Sequence, residues 1–222
     1  MKTDLQIQKD VMAQLQWESI LNSSEIGVAV KDGVVTLSGI VDTYTKKVEA
    51  EKAAKKVGGV KAIAVDIQVG VSPIFKKKDS EIAETILNAL RAHTAIIEDR
   101  IKIKVENGVV SLEGDVEWEY QRKAAQNAIE NLPGVRDVLN LITVRPKVMA
   151  QDIEYKISDA FHRHATIDSE QITVEMIGSK AILKGVVRSL REREDAEDAV
   201  WQAPGVTAVD NRLFVEEELP VF

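Results

Sequence analysis

One short segment of this chain occurs twice in nearly the same form. Residues 33–39 read GVVTLSG and residues 108–114 read GVVSLEG, an offset of 75. The same offset carries Gly59 onto Gly134, and a further 71 residues carry Gly134 onto Gly205. Self-similarity at a regular period is the signature of a repeat architecture. The 222 residues are therefore predicted to fold as three copies of one small module.

Within each copy, the spacing of apolar residues predicts a first helix. Ile7, Val11 and Leu15 lie four residues apart, which is typical of a helix with one apolar face. Ile82, Ile86 and Leu90 repeat the pattern in the second copy, and Ile153, Ile157 and Phe161 repeat it in the third. The first helices are expected at about 4–16, 79–91 and 151–163.

The segment after the first helix predicts a β-hairpin. Residues 26–30 alternate and lead to Asp32-Gly33, and the second copy has Asn107-Gly108 at the same place. These pairs favour a two-residue turn because both central residues need a positive φ. In the third copy, Gly178 comes first, which favours the turn type that begins with glycine. The second strand is expected over residues 34–41.

An alanine-rich helix near 43–57 and a strand over 63–69 complete the module. Strands two and three are joined through this helix, the usual connection between parallel strands. We therefore predict an α+β protein of three tandem αββαβ modules, each a small three-stranded mixed sheet with two helices on one face. The expected bounds are 1–70 for module 1, 79–144 for module 2 and 151–217 for module 3, with basic linkers at 71–78 and 145–150 and a tail at 218–222.

Glycine recurs at positions that restrict the backbone. At the end of strand two, Gly39 predicts a β-bulge or the close approach of a helix. Gly59, in the Gly-Val pair, is predicted to end the second helix in a left-handed conformation. The predicted structural glycines are Gly33, Gly39, Gly59, Gly108, Gly114, Gly134, Gly178, Gly185 and Gly205.

With these motifs, the module resembles the BON domain family, which is named for bacterial OsmY and nodulation proteins. The resemblance rests on the Gly-Val-Val-x-Leu-x-Gly strand, the alanine-rich second helix and the Gly-Val pair before the last strand. It covers nearly the whole chain in three copies. It implies a bacterial, stress-associated and often periplasmic module that interacts with phospholipid or membranes. The family pattern consists of glycines and apolar positions and implies no catalytic residues.

Composition and motifs exclude several chemistries. The sequence has no cysteine, which excludes disulfides, thiol nucleophiles and cysteine metal sites. His162 and His164 point about 200° apart on the predicted helix, so they cannot share one metal ion. The net charge of −7 argues against a nucleic-acid partner. Because nucleotide, hydrolase and zinc motifs are also missing from the sequence, we predict no cofactor, no metal and no enzymatic activity.

The first linker contains the predicted lipid contact. An apolar pair beside lysines suits a bilayer interface, where each lysine near an anionic surface contributes about 1 kcal/mol. The alternative is a solvated linker that pairs with its acidic neighbours, since residues 79–144 carry a net charge of −5 and residues 151–222 carry −7. The predicted contact consists of Ile74, Phe75, Lys76, Lys77 and Lys78.

Two aromatic residues form a second candidate contact. Trp118 and Tyr120 follow strand two of the second copy, where a loop would place them at the surface. Aromatic side chains at such positions anchor protein interfaces, either with a partner or with a neighbouring module.

Two functions are consistent with these features. The first is a non-enzymatic, osmotic-stress-associated protein whose modules bind a phospholipid membrane surface multivalently. The alternative is a cytoplasmic scaffold that binds a protein partner or self-associates through exposed sheet edges, without lipid binding. The N-terminal segment has no apolar signal-peptide region, which predicts the cytoplasm. The family resemblance favours the periplasm instead if the sequence is a mature form.

Overall fold

The computed structural model describes residues 2–70, 77–93, 100–146, 153–163 and 166–215. The same order of elements occurs three times. Module 1 contains α1 (Asp4–Trp17), β1 (Ile26–Lys31), β2 (Val34–Val41), α2 (Tyr44–Lys55) and β3 (Ala62–Val69). Module 2 contains α3 (Asp79–Ala92), β4 (Ile101–Glu106), β5 (Val109–Val116), α4 (Glu119–Glu130) and β6 (Asp137–Val144). Module 3 contains α5 (Ile153–Arg163), β7 (Ile172–Ile177), β8 (Lys180–Val187), α6 (Leu190–Trp201) and β9 (Ala208–Val215).

Each module has its own three-stranded sheet, in which the second strand is central. In module 2, Ile103 of β4 lies opposite Leu112 of β5 in antiparallel pairing, and Leu112 lies beside Asn140 of β6 in parallel pairing. The sheets are mixed, which confirms the predicted fold class of three α+β modules with two helices each.

The contacts between residues divide the chain into two compact units. The first contains residues 1–39, 48–67 and 148–222, and the second contains residues 40–47 and 68–147. The division places most of module 1 with module 3 and places all of module 2 in the second unit.

The apolar stripe of each first helix is buried, as its four-residue spacing predicts. In module 3, Ile157 and Phe161 of α5 join a core with Leu183 of β8, Ala196 of α6 and Leu213 of β9. Full burial of each large apolar side chain stabilises the fold by about 1.5–3 kcal/mol. The helices therefore cover one face of the sheet and leave the other face open.

The hairpin turns have the backbone that their sequences favour. In module 2, Asn107 has a φ of 50° and Gly108 has a φ of 78°. The carboxylate of Asp79, in the first turn of α3, accepts hydrogen bonds from the backbone N–H of Asn107 at 2.8 Å and of Gly108 at 3.0 Å. In module 1, Asp4 bonds the turn at Asp32 in the same way. One carboxylate thus ties the start of the first helix to the hairpin.

The glycine at the end of each second strand meets a backbone carbonyl. A Cβ atom on Gly114 would overlap the carbonyl oxygen of Arg100, which immediately precedes β4. Gly39 and Gly185 have the same relationship with Glu25 and Gln171. The close approach predicted here is therefore made by the neighbouring strand segment and not by a helix.

The Gly-Val glycines differ from the prediction in position. The second helices end at Lys55, Glu130 and Trp201, four residues before these glycines. In module 2, the Val135 N–H donates to the Leu132 carbonyl at 3.2 Å, so Gly134 is the third residue of a tight turn. Its φ of 99° suits the third position of a turn whose second residue is a proline, here Pro133, and this position favours glycine. The glycine therefore serves a separate turn and not the helix C-cap.

Candidate interaction surfaces

The described part of the lysine linker is exposed at the start of α3. Lys77 and Lys78 are both exposed. The backbone N–H of Lys78 donates to the Glu81 carboxylate at 3.1 Å, which caps the start of the helix. The predicted contacts Ile74, Phe75 and Lys76 lie outside the described residues.

Trp118 and Tyr120 lie at the start of α4. Their exposed fractions are 38% and 59%. The backbone N–H of Trp118 donates to the side-chain oxygen of Gln121 at 3.1 Å, so the glutamine caps a helix whose N-cap residue is aromatic. The two rings therefore stand at a solvent-accessible corner of module 2.

The structure does not bring the lysines and the aromatic residues together. Asp79 bonds the hairpin turn at Asn107, so the start of α3 lies at the turn end of the module 2 sheet. Trp118 follows β5 at the other end of the same sheet. The 8 residues of β5 span about 26 Å. A single small ligand cannot contact both sets.

The open sheet face of module 3 carries an ion-pair network that the sequence analysis did not single out. The Lys184 ammonium lies 2.6 Å from the Glu175 carboxylate across β7 and β8. Asp210 of β9 pairs with Lys180 at 2.8 Å and with Arg212 at 2.9 Å. Hydrogen bonds from Arg212 and then from Lys180 lower the pKa of Asp210 from 3.8 to about 2. These charges thus form an ordered array on a flat surface.

The array covers one apolar side chain and is bordered by others. Ile182 lies between Glu175 and Asp210 in strand register and is only 6% exposed. Long charged side chains bury their aliphatic stems on such a residue while the charged groups stay in water. Phe214 is 73% exposed at one end of the face, and Ile177 is exposed at the other. The alternating patterns Lys-x-Ile-x-Lys in β8 and Asp-x-Arg-x-Phe in β9 were the available sequence signal.

The open faces of the other modules have different chemistry. Module 2 places the half-exposed Leu139 and Leu141 where module 3 has Asp210 and Arg212. Module 1 has Ala64 and Asp66 at these positions. The repeat therefore preserves the frame and the core, while the exposed positions of the outer strand differ in each copy.

Module 3 also buries two carboxylates, both in hydrogen bonds. Glu192 accepts from the backbone N–H of Asp168 at 2.9 Å and of Arg188 at 2.8 Å. Burial raises the pKa of Glu192, but these N–H groups and the Arg188 guanidinium lower it by more, and the net pKa lies below the ordinary value. Asp195 accepts from the Thr166 hydroxyl at 2.9 Å and pairs with Arg191 at 2.7 Å.

These carboxylates line an open cleft of about 360 Å³ together with the arginines. A general acid or base at neutral pH usually has a pKa near 7. Glu192 has a lowered pKa and links two chain segments, which is the arrangement of a structural carboxylate. In module 2, Gln121 occupies the equivalent place and accepts from the backbone N–H of Glu117 and of Trp118. The position therefore has a structural role in both modules.

His162 and His164 form the His-x-His pair of the sequence. His162 Nδ1 lies 2.8 Å from the Ser169 hydroxyl oxygen, and His164 lies outside the described residues. Among the residues that the structure describes, no three His, Asp or Glu side chains are grouped as a metal site would require. None of the described helices combines the length and apolar character needed to cross a bilayer.

Comparison with protein families finds one domain three times. The BON domain model matches residues 3–71, 78–146 and 150–217. The chain is similar to the osmotically-inducible protein Y of Escherichia coli K12, with 30% identity over 141 residues that cover 62% of this chain and 70% of that protein. It is 28% identical to an uncharacterized protein from the gshII 5′ region of Anaplasma centrale over 125 residues, which cover 55% of this chain and 83% of that protein.

Among solved structures, the chain matches the C-terminal domain of CdsD, a structural protein of the type III secretion system of Chlamydia trachomatis. The identity is 13% and the TM-score is 0.27, with coverage of 98% of this chain and 100% of that chain.

Proposed function

Since this chain belongs to the BON domain family, with one copy of the domain in each of its three modules, we propose that it is a non-enzymatic, osmotic-stress-associated protein that binds phospholipid surfaces. The observation that carries the proposal is the tandem domain match, together with the likeness to a protein named for osmotic induction. The contact is non-covalent and shared among modules.

The three modules are proposed to bind the surface multivalently, because each of them alone is small. A module of 68 or 69 residues offers a small surface, and its single contact with a lipid headgroup is weak. Three such contacts on one chain act together, because binding of one module raises the effective concentration of the others at the surface. Avidity can then exceed the single-module affinity by about 100-fold or more.

The exposed lysines before α3 are the proposed contact of the first linker. Lys77 and Lys78 are exposed, so their ammonium groups are accessible to anionic headgroups. Lys76, Phe75 and Ile74 precede them in sequence and extend the same basic and apolar segment. The segment supports reversible association rather than insertion, because stable anchoring by charge requires about 4–8 basic residues.

The bonding of the buried polar groups supports a non-enzymatic role. Glu192 and Gln121 are committed to backbone N–H groups, and Asp195 is committed to Thr166 and Arg191. Each of these groups is held by hydrogen bonds or an ion pair within its own module, so none is poised for proton transfer to a substrate.

Vesicle flotation of the full chain tests the proposal. Vesicles of phosphatidylglycerol and phosphatidylcholine in equal amounts should carry the protein at low salt, and added salt should reduce the floated fraction. Replacing Lys76, Lys77 and Lys78 with serine should reduce it further. The matched control replaces Lys9, Lys52 and Lys56 with serine, which removes the same charge elsewhere. Absence of flotation under every condition would overturn the proposal.

A scaffold function is the second candidate, and one observation favours it. Leu139 and Leu141 are both half-exposed on the outer strand β6 of module 2. Exposed apolar side chains on an edge strand are typical of surfaces that pair with another protein. Light scattering that gives a monomer mass, together with no partner in a pull-down, would argue against this function.

A further inference from the structure

We propose that the open sheet face of module 3 docks on anionic phospholipid headgroups. This face, called the cationic face below, consists of Ile177, Lys180, Lys184, Arg212 and Phe214, with Glu175 and Asp210 as internal partners. The inference rests on the proposed function, because it names the surface through which one of the three modules meets the lipid.

Charge is distributed unevenly across module 3. Residues 151–222 contain 8 basic and 15 acidic side chains, yet the cationic face contains three basic and two acidic ones. The acids of α6 lie in the helix layer on the other side of the sheet. A helix is about 10 Å across, whereas the Debye length at physiological salt is about 8 Å. An anionic surface facing the sheet is therefore largely screened from the acidic helix.

The ion pairs of this face can be exchanged for headgroup phosphates. Lys184 and Glu175 are about half-exposed, as are Lys180 and Arg212. Exposed ion pairs contribute little to stability, so a phosphate can replace a carboxylate at little cost. Asp210 already holds two cations, which shows that neighbouring strands bring the basic groups close enough to share one anion.

The shape of the face favours a flat occupant over a ligand that needs a pocket. Phe214 lies beside Val186, and Ile177 lies opposite Lys180, so the apolar side chains stand at the two ends of β8. These ends are about 20 Å apart along the strand. The charged rows lie between them on an open surface. Apolar side chains around basic groups are suited to the boundary between headgroups and acyl chains.

The cationic face is specific to module 3 and is not among the features that the three modules share. At the position of Lys184, module 2 has Glu113 and module 1 has Ser38. At the position of Arg212, they have Leu141 and Asp66. The proposed docking is thus a property of one copy.

Two pairs of variants in the full chain test the inference by flotation with the same anionic vesicles. Phe214→Ser should weaken vesicle binding about tenfold, because an apolar contact is lost. Tyr155→Ser is its control, since Tyr155 is 74% exposed on α5 in the helix layer and should bind as the parent does.

The second pair changes charge by the same amount on opposite sides of the sheet. Glu175→Gln releases Lys184 for headgroup phosphate and should tighten binding about fivefold. Glu154→Gln removes an exposed acid from α5 and should change binding by less than about twofold. Circular dichroism of each variant establishes that the fold is retained.

The outcomes separate this inference from the proposed function. If the parent floats and the linker-serine variant does not, but Phe214→Ser and Glu175→Gln both match the parent, the cationic face does not meet lipid while the proposed function stands. If Glu154→Gln tightens binding as much as Glu175→Gln, the effect is one of net charge, and if Tyr155→Ser weakens binding as much as Phe214→Ser, the apolar contact is not specific to this face; either result makes the inference wrong. If the parent does not float, both fail, and an acidic protein segment becomes the partner to seek for this face.

Discussion

The carbonyl oxygen of Arg100 occupies the space that a Cβ atom on Gly114 would need. The Gly114 φ of 141° lies outside the range that other residues readily adopt. The end of β5 and the residue before β4 can therefore lie close together because Gly114 has no side chain. The same relationship holds in modules 1 and 3.

Gly114→Ala should destabilise module 2 by about 3 kcal/mol or more, because it adds both a steric overlap and a strained backbone. Gly178→Ala is the comparison, since its Cβ would meet nothing within 4 Å and only its φ of 61° is unfavourable. That variant should cost about 1–2 kcal/mol. Urea unfolding is followed by Trp118 fluorescence for module 2 and by Trp201 fluorescence for module 3, with the other two tryptophans replaced by phenylalanine. Equal losses in the two variants would contradict the steric argument.

Asp79→Ala should destabilise module 2 by about 1.5–3 kcal/mol. The change removes a charged acceptor from the N–H groups of Asn107 and Gly108. Glu84→Ala, on the exposed side of the same helix, removes one acid without that contact and should cost less than about 0.5 kcal/mol. The measurement is urea unfolding monitored by Trp118. A cost for Asp79→Ala no larger than that for Glu84→Ala would show that the helix does not stabilise the hairpin.

Replacements of Glu192 should measure how much its two acceptor oxygens contribute to stability. Glu192→Ala leaves the N–H groups of Asp168 and Arg188 without their buried acceptor and should cost about 2–3 kcal/mol. Glu192→Gln keeps one acceptor oxygen and replaces the other with an NH2 group, which cannot accept, so it should retain one of the two bonds and cost about half as much. Thermal unfolding monitored by Trp201 compares the two. Similar losses would mean that a single acceptor oxygen does not stabilise this junction.

Asp210 should give module 3 a distinct acid dependence. Its pKa falls from 3.8 to about 2 in the folded chain, so the ionised form is the one that the fold favours. The resulting stabilisation is present above 3.8 and is lost as the pH falls from 3.8 to about 2. Asp210→Asn should remove this part of the acid dependence while leaving the rest of the curve unchanged.

Unfolding of both proteins between pH 2 and 5 measures the difference, with carboxyl NMR titration of Asp210 as the direct check. A titration midpoint near 3.8 for Asp210 would contradict the paired geometry with Lys180 and Arg212.

Local rules account for most of the fold. The four-residue spacing of Ile82, Ile86 and Leu90 predicts a buried helix stripe, and the Asn107-Gly108 pair predicts the turn that the structure has. Each of these features depends on neighbours within a few residues. Repetition strengthens them, since three copies must satisfy one set of packing constraints.

Features that join distant segments could not be predicted in the same way. The sequence predicts a bulge or a helix contact at Gly114, because nothing local identifies Arg100 as its neighbour. The sequence predicts Gly59 as the end of the second helix, since Lys56 and Val57 continue the helical pattern past Lys55 with no proline before the glycine.

The sequence by itself determined the number of modules, the order of their elements and the residues of their cores, because periodicity and turn chemistry act over short distances. Only the tertiary structure decided that Lys180, Lys184 and Arg212 share one open face with Phe214. Arg212 and Lys184 are 28 residues apart and become neighbours through the parallel pairing of β8 and β9. Strand register, which long-range packing sets, therefore converts scattered charges into a surface.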